Sequence, residues 1–236
     1  MRRRGFTLVE ILIGMTLFLV ILTAGIGFFG HARDLFFKLK DAEEDSQAVY
    51  SALDRIRMDL IKAGRGLAEP LQRGLLSAVE AGPGRLTIVS SEEPLSLAEG
   101  LRAGESQAVL RTVDGVKKGG LVCFLEGSRG EVRGVAAIET DRLALDLPVE
   151  SDYSTEGCRV LPIERISFYL GAVDRVVRRQ VNASPAQPLI EDVGVFRYSY
   201  DPPSNIASVI IELAPHKERA YEIIVFPKNA GLSPRR

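Results

Sequence analysis

The 236-residue chain has no tryptophan, two cysteines and two histidines. Two cysteines are too few for a small disulfide scaffold, and with two histidines they do not supply an ordinary closed zinc site. Neither sign of charge dominates. The 30 basic and 31 acidic residues leave a formal net charge of -1, so there is no global attraction to nucleic acid, which is not indicated as a partner. No Asp-x-Asp-x-Asp-Gly calcium loop occurs, and the scattered Asp141, Asp146, Asp152 and Asp201 read as turn and edge residues rather than metal ligands. A hydrophobic content of 46% excludes intrinsic disorder. What is abundant is unevenly placed: apolar residues crowd the first 32 positions, directly behind Arg2, Arg3 and Arg4.

Residues 11–32 are 22 consecutive positions without a formal charge. As a helix they would reach about 33 Å, enough to cross a hydrocarbon core of about 30 Å. The stretch is too long for the apolar region of a secretory signal. The arginines before it predict a cytoplasmic amino end, with everything after Ala32 across the membrane. Within this segment Gly5-Phe6-Thr7-Leu8-Val9-Glu10 resembles the processing signal of type IV prepilins and type II secretion pseudopilins. The resemblance implies a prepilin peptidase that cuts between Gly5 and Phe6 and methylates the new Phe6 terminus. Gly5 lets a protease approach the backbone closely. Glu10 is the only formal charge between Arg4 and Arg33, and a carboxylate at the edge of a membrane segment is costly without a cation. Cleavage would supply one, the Phe6 ammonium, within a helical turn of Glu10. In the family that pairing, made between subunits, sets the register of assembly.

Two other stretches imitate catalytic or cofactor motifs. Gly25-Ile26-Gly27-Phe28-Phe29-Gly30 fits G-x-G-x-x-G, but it lies inside an uninterrupted membrane-length run and lacks a second apolar strand before the acids at 43–45. Its glycines read better as sites of close helix packing. Gly104-Glu105-Ser106-Gln107-Ala108 imitates a nucleophile elbow, yet it ends in Ala and the only downstream histidine is His216 on a predicted turn. His31 and His216 read as surface residues. No catalytic residue and no cofactor is assigned, and the chain is read as not an enzyme.

Beyond the span, Leu35, Leu39, Ala42, Val49, Leu53, Ile56 and Leu60 recur at mostly three- and four-residue spacing, which predicts an amphipathic continuation of the helix to Ala63, stopped by Gly64 and Gly66. The rest reads as strands: 85–90, 107–113, 121–126, 132–139 and 142–147, then 163–170, 174–181, 195–200, 206–213 and 221–226. Gly171-Ala172 and Pro215-His216-Lys217-Glu218 predict hairpins, and 64–84 and 91–104 predict irregular exposed stretches. Arg175, Arg178 and Arg179 form a small basic edge such as any solvated strand offers. The fold class is α+β, pilin-like, with a long N-terminal helix packed on a mainly antiparallel sheet. The order of "RISFYLG", "VVRRQVN", "PLIEDVGVFRYSYD", "ASVIIEL" and "YEIIVFPKN" is similar to larger minor pilins of the PilW type and to J-type pseudopilins.

The expected organisation is therefore a leader at 1–5, a transmembrane and filament-core helix at 6–32, its amphipathic continuation at 33–66 and an extracytoplasmic head at 67–236. Loss of the leader would leave 27 basic and 31 acidic residues, a side-chain net of -4. The resemblance implies a non-catalytic minor subunit of a type IV pilus or type II pseudopilus, held in the inner membrane with lipid around residues 11–32. Its implied partners are prepilin peptidase, other pilins or pseudopilins and the inner-membrane assembly platform. A bulky head suits a few copies at a tip, where the subunit helps to initiate assembly; a tip-borne adhesion or ligand-binding module is the second reading. Cys123 and Cys158 lie where a disulfide is permitted, and the sequence leaves open whether they pair or whether Cys123 is a core thiol.

Overall fold

The computed structural model describes residues 8–214 and 219–232. Two compact units divide it, Met1–Ala48 and Val49–Arg236. Helix α1, Leu8–Lys62, supplies most of the first unit and the opening of the second. In the second unit, α1 buries Val49, Ala52, Leu53, Ile56, Asp59 and Leu60, the three- and four-residue spacing of one helical face. Leu35 and Leu39, expected in the same stripe, are exposed. The packed stripe begins at Val49.

Residues 63–66 end the helix and attach it to the sheet. Ala63 N–H turns back to the Leu60 carbonyl at 3.1 Å, and Gly64 N–H then donates to the Val89 carbonyl at 2.8 Å. Gly66 is left-handed at φ +73, and a Cβ there would lie 2.4 Å from the Ser91 carbonyl oxygen. Glycine is required here by backbone conformation and by close approach together.

The stretch 64–84, expected to be irregular, contains the short helix α2 (Ala68–Gln72) and strand β1 (Val79–Gly82). The strands that follow are β2 (Arg85–Ser91), β3 (Leu95–Ser96), β4 (Gln107–Val109), β5 (Leu121–Glu126), β6 (Arg129–Glu139), β7 (Arg142–Leu145) and β8 (Arg159–Leu170). Then come β9 (Val177–Val181), β10 (Gln187–Ile190), β11 (Val193–Asp201), β12 (Ile206–Leu213) and β13 (Ala220–Val225), and last a 3-10 turn, Ala230–Leu232. The first sheet has the path β1-β2-β8-β5-β6-β7-β4, with β3 and β9 also on β8 and β10 on β9. A separate second sheet has the order β11-β12-β13. All these pairings are antiparallel. The α+β class expected from the sequence is the class observed, with two sheets where one was expected.

The hairpin at Gly171-Ala172 forms, but Leu170 faces Val177, so its turn takes in Arg175 and Val176. Residues 110–113 were expected to continue a strand, and only Leu110 bridges, to Leu97. In 91–104, Leu95, Leu97 and Leu101 are buried rather than exposed. The reason is a second core. Cys123 and Leu125 face the core shared with α1, whereas Val122 and Phe124 face another, closed by Leu97, Leu110, Leu143, Tyr153 and their neighbours. A strand buried on both faces needs an unbroken apolar run, which Leu121-Val122-Cys123-Phe124-Leu125 provides.

Candidate functional site

The N-terminal unit carries the residues that the sequence singles out. Gly5 and Phe6 lie outside the described residues. Glu10 is in the first turn of α1 and is exposed. Around and after it, Leu8, Ile13, Leu17, Phe18, Ile21, Ile26, Phe28 and Phe29 are all exposed. The helix is long and apolar enough to cross a membrane, and none of its most apolar window is buried within the chain. Its polar side chains are satisfied inside the helix: Thr16 and Thr23 hydroxyls donate to the Leu12 and Leu19 carbonyls, each at 2.8 Å. A Cβ added at Gly14, Gly25, Gly27 or Gly30 would meet nothing within 4 Å. Among the described residues nothing packs against those glycines; they leave a smooth surface on which another helix can come close. Because Gly25, Gly27 and Gly30 lie within α1, they form no phosphate-cradling turn.

A second site joins α1 to the head. Arg179 on β9 donates from Nε to Asp59 Oδ2 at 2.7 Å and from Nη2 to Oδ1 at 3.3 Å. Arg55 Nε stands 3.6 Å from the same Oδ2. The side chains of Asp59 and Arg179 are only 2% and 12% exposed, so this two-pronged bond is far less screened than a surface pair. The supposed basic edge thus dissolves: Arg179 points inward, Arg178 pairs with Asp174, and Arg175 is a left-handed turn residue. The alternation was informative. Val177, Arg179 and Val181 share one parity, and Asp59 occupies a stripe position on α1, so two opposite charges stood at inward positions.

A third feature is a mixed-charge cleft of about 850 Å³. Arg65, Arg111 and Lys117 line it together with Glu92, Glu93 and Glu164. Ser106, of the imitation nucleophile elbow, is exposed just before β4, and His216 lies outside the described residues. Among the described residues no group of three or more His, Cys, Asp or Glu is placed to hold a metal ion.

Both cysteines are free and buried, one in each core. Pairing was left open by the sequence; here the sheet separates the two thiols. Burial pushes the Cys123 thiol up to about 12 and the Cys158 thiol up to about 11, so both keep their protons at neutral pH.

Carboxylates hold the loop before β8. Glu131 accepts from the Tyr153 hydroxyl at 2.9 Å and from the Glu150 and Ser151 amides. Glu126 accepts from the Ser154 amide at 2.8 Å and its hydroxyl at 2.5 Å, which holds the Glu126 carboxyl below the usual carboxylate range.

Residues 1–26 match the family model "Prokaryotic N-terminal methylation motif". No curated protein matches the chain. Among solved structures, the gp54 tailspike of Acinetobacter baumannii bacteriophage AP22, in complex with A. baumannii capsular saccharide, is matched at 13% identity and a TM-score of 0.28. The match covers 33% of this chain and 15% of the tailspike, and it carries no argument.

Proposed function

We propose, on the support of the methylation motif at residues 1–26, that the chain is a type IV pilin- or pseudopilin-like protein, and that it is a non-catalytic minor subunit that helps to initiate or cap a type IV pilus or type II pseudopilus. The motif implies processing by prepilin peptidase and assembly with other pilins, and the apolar helix fits an inner-membrane anchor. In this reading residues 1–5 are a leader, 6–32 the membrane and later filament-core segment, 33–66 its continuation and 67–236 an extracytoplasmic head. The observation that carries it is the conjunction of the motif with a helix whose most apolar window is unburied among the described residues. Lipid covers it before assembly and neighbouring helices cover it afterwards.

Glu10 is the residue assigned to docking, against the ammonium of a processed Phe6. Glu10→Ala is expected to leave cleavage and the head fold intact while abolishing incorporation; immunoblotting of sheared filaments against the membrane fraction reads both. Normal incorporation of that variant would end the pairing assignment. A tip-borne binding module remains the second reading because the mixed-charge cleft beside Arg111 and Lys117 gives a polar ligand somewhere to sit. Truncation of those two side chains would then lower surface binding without lowering incorporation.

A further inference from the structure

The mixed-charge cleft lies wholly in the second unit, and the sheet opens there for a local reason. Strand β2 pairs with β8 as far as Ser91 opposite Ile163, and β3 rejoins β8 at Leu95 opposite Val160. Glu92-Glu93-Pro94 therefore stand against only Leu161 and Pro162, a bulge at a residue with no N–H to give the ladder. Glu92 and Glu93 are exposed on the cleft, whose lining also includes Pro162 and Glu164. Residues 111–117 supply a second wall. Val113 and Val116 pack on the second core, which leaves Arg111, Asp114 and Lys117 on the cleft. Arg111 N–H donates to the Ser96 carbonyl at 3.0 Å and Gly119 N–H to the Val135 carbonyl at 2.7 Å, so this wall is fixed before any ligand arrives.

The charges of the cleft are unpaired. Elsewhere in the head opposite charges meet, as Arg133 does Glu150 and Arg197 does Glu212. In the cleft Arg65, Arg111, Lys117, Glu92, Glu93 and Glu164 make no ion pair and no side-chain hydrogen bond among the described residues. A buried amide joins them. Asn182 lines the cleft and is 9% exposed; its N–H donates to the Arg165 carbonyl at 2.7 Å, and its Oδ1 accepts from the Arg165 N–H at 2.8 Å. The second of these bonds decides which side of the amide is oxygen. Nδ2 is left without a partner among the described residues.

Resting on the binding-module reading above, we infer that the cleft takes a short peptide bearing both basic and acidic side chains. Glu92, Glu93 and Glu164 receive its ammonium or guanidinium group, Arg65, Arg111 and Lys117 its carboxylate, and Asn182 Nδ2 donates to a carbonyl of its backbone. Other ligands match fewer of these groups. A polyanion such as nucleic acid is repelled by the acids. A choline-type cation or a sugar ring is held best against an aromatic face, and no aromatic residue lines the cleft. Its volume of about 850 Å³ lies in the upper part of the range of about 300–1,000 Å³ for ligand pockets, room for several residues rather than a single amino acid.

The test uses the full chain, immobilised in detergent. Four pools of random hexapeptides, blocked at both ends so that only side chains carry charge, are passed over it: mixed-charge, basic, acidic and uncharged. A hexasaccharide of alternating uronate and free amino sugar is the non-peptide probe. Mass spectrometry reads what is retained. The mixed pool should be held about tenfold above every other probe, the scale of one charge-assisted bond. Glu92→Gln with Glu93→Gln should lose that preference and shift the remaining retention to the acidic pool; Arg111→Gln with Lys117→Gln should shift it to the basic pool. These opposite shifts cannot come from a loss of fold. Arg57→Gln and Glu222→Gln, on α1 and β13, should change nothing. Equal retention of the four pools, preference for one sign of charge, or a hexasaccharide held above the peptides would overturn the peptide assignment alone. Retention of no probe, or the same retention by the cleft variants as by the parent, would overturn the binding-module reading and the peptide assignment together.

Discussion

In Met1–Ala48 the large apolar side chains from Leu8 to Leu39 are exposed, whereas in Val49–Arg236 the same residue types fill two cores. Valine, leucine, isoleucine and phenylalanine do opposite work in the two units. Burial inside one chain supplies the stability of the second unit. On the reading proposed above, the corresponding cover for the first unit comes from lipid and then from neighbouring helices. That difference separates what a substitution does to folding from what it does to assembly.

The sharpest way to break the comparison is to damage each unit alone. Asp59→Ala leaves Arg179 as a buried cation without its partner, a loss of about 3–5 kcal/mol. For a unit of this size that lowers the melting temperature by on the order of 10 °C. Circular dichroism of the full chain in detergent should show the sheet signal melting early while the membrane helix persists. Unchanged melting would mean that the clamp contributes nothing net. Next in size, Ile21→Lys puts a charge in the middle of residues 11–32, costing about 2.5–3.5 kcal/mol of insertion. Less chain should reach the membrane fraction, with the head melting as before; a lowered head melting temperature would contradict the separation of roles.

Acidification should give the smallest effect. Glu126 has its carboxyl held down by Ser154, so the native state binds fewer protons there than the unfolded one. Its contribution is present above the usual carboxylate range and is lost as pH falls through its folded value. Melting between about pH 7 and about pH 3 should therefore fall more in the parent than in Glu126→Gln. Equal pH dependence would remove Glu126 from the account.

In the N-terminal unit the methylation motif and the membrane-length apolar helix were legible in the sequence, because a charge-free run and a short contiguous motif are local signals, whereas Leu35 and Leu39, expected in a buried stripe, are exposed. The strands of the C-terminal sheet were also readable: 206–213 matches β12, and 195–200 lies inside β11. What escaped depended on distance along the chain. Val79–Gly82 is a strand because it lies against β2, not because its own residues favour one. Leu97 and Leu101 are buried because loops fold over the far face of β5, which nothing local announces. Asp59 and Arg179 stand 120 positions apart; Arg179 was read as part of a solvated edge, and only the fold brings the two together. The same limit applied to Cys123 and Cys158, whose spacing is silent about the sheet between them.

The central claim is that the chain is made as a precursor and matures by losing its first five residues. Intact-mass and N-terminal fragment analysis of the protein purified from membranes containing an active prepilin peptidase tests it directly. The account predicts a chain that begins at Phe6 and carries a methyl group on that amino terminus. A chain that keeps Met1 to Gly5 in the same membranes would contradict it.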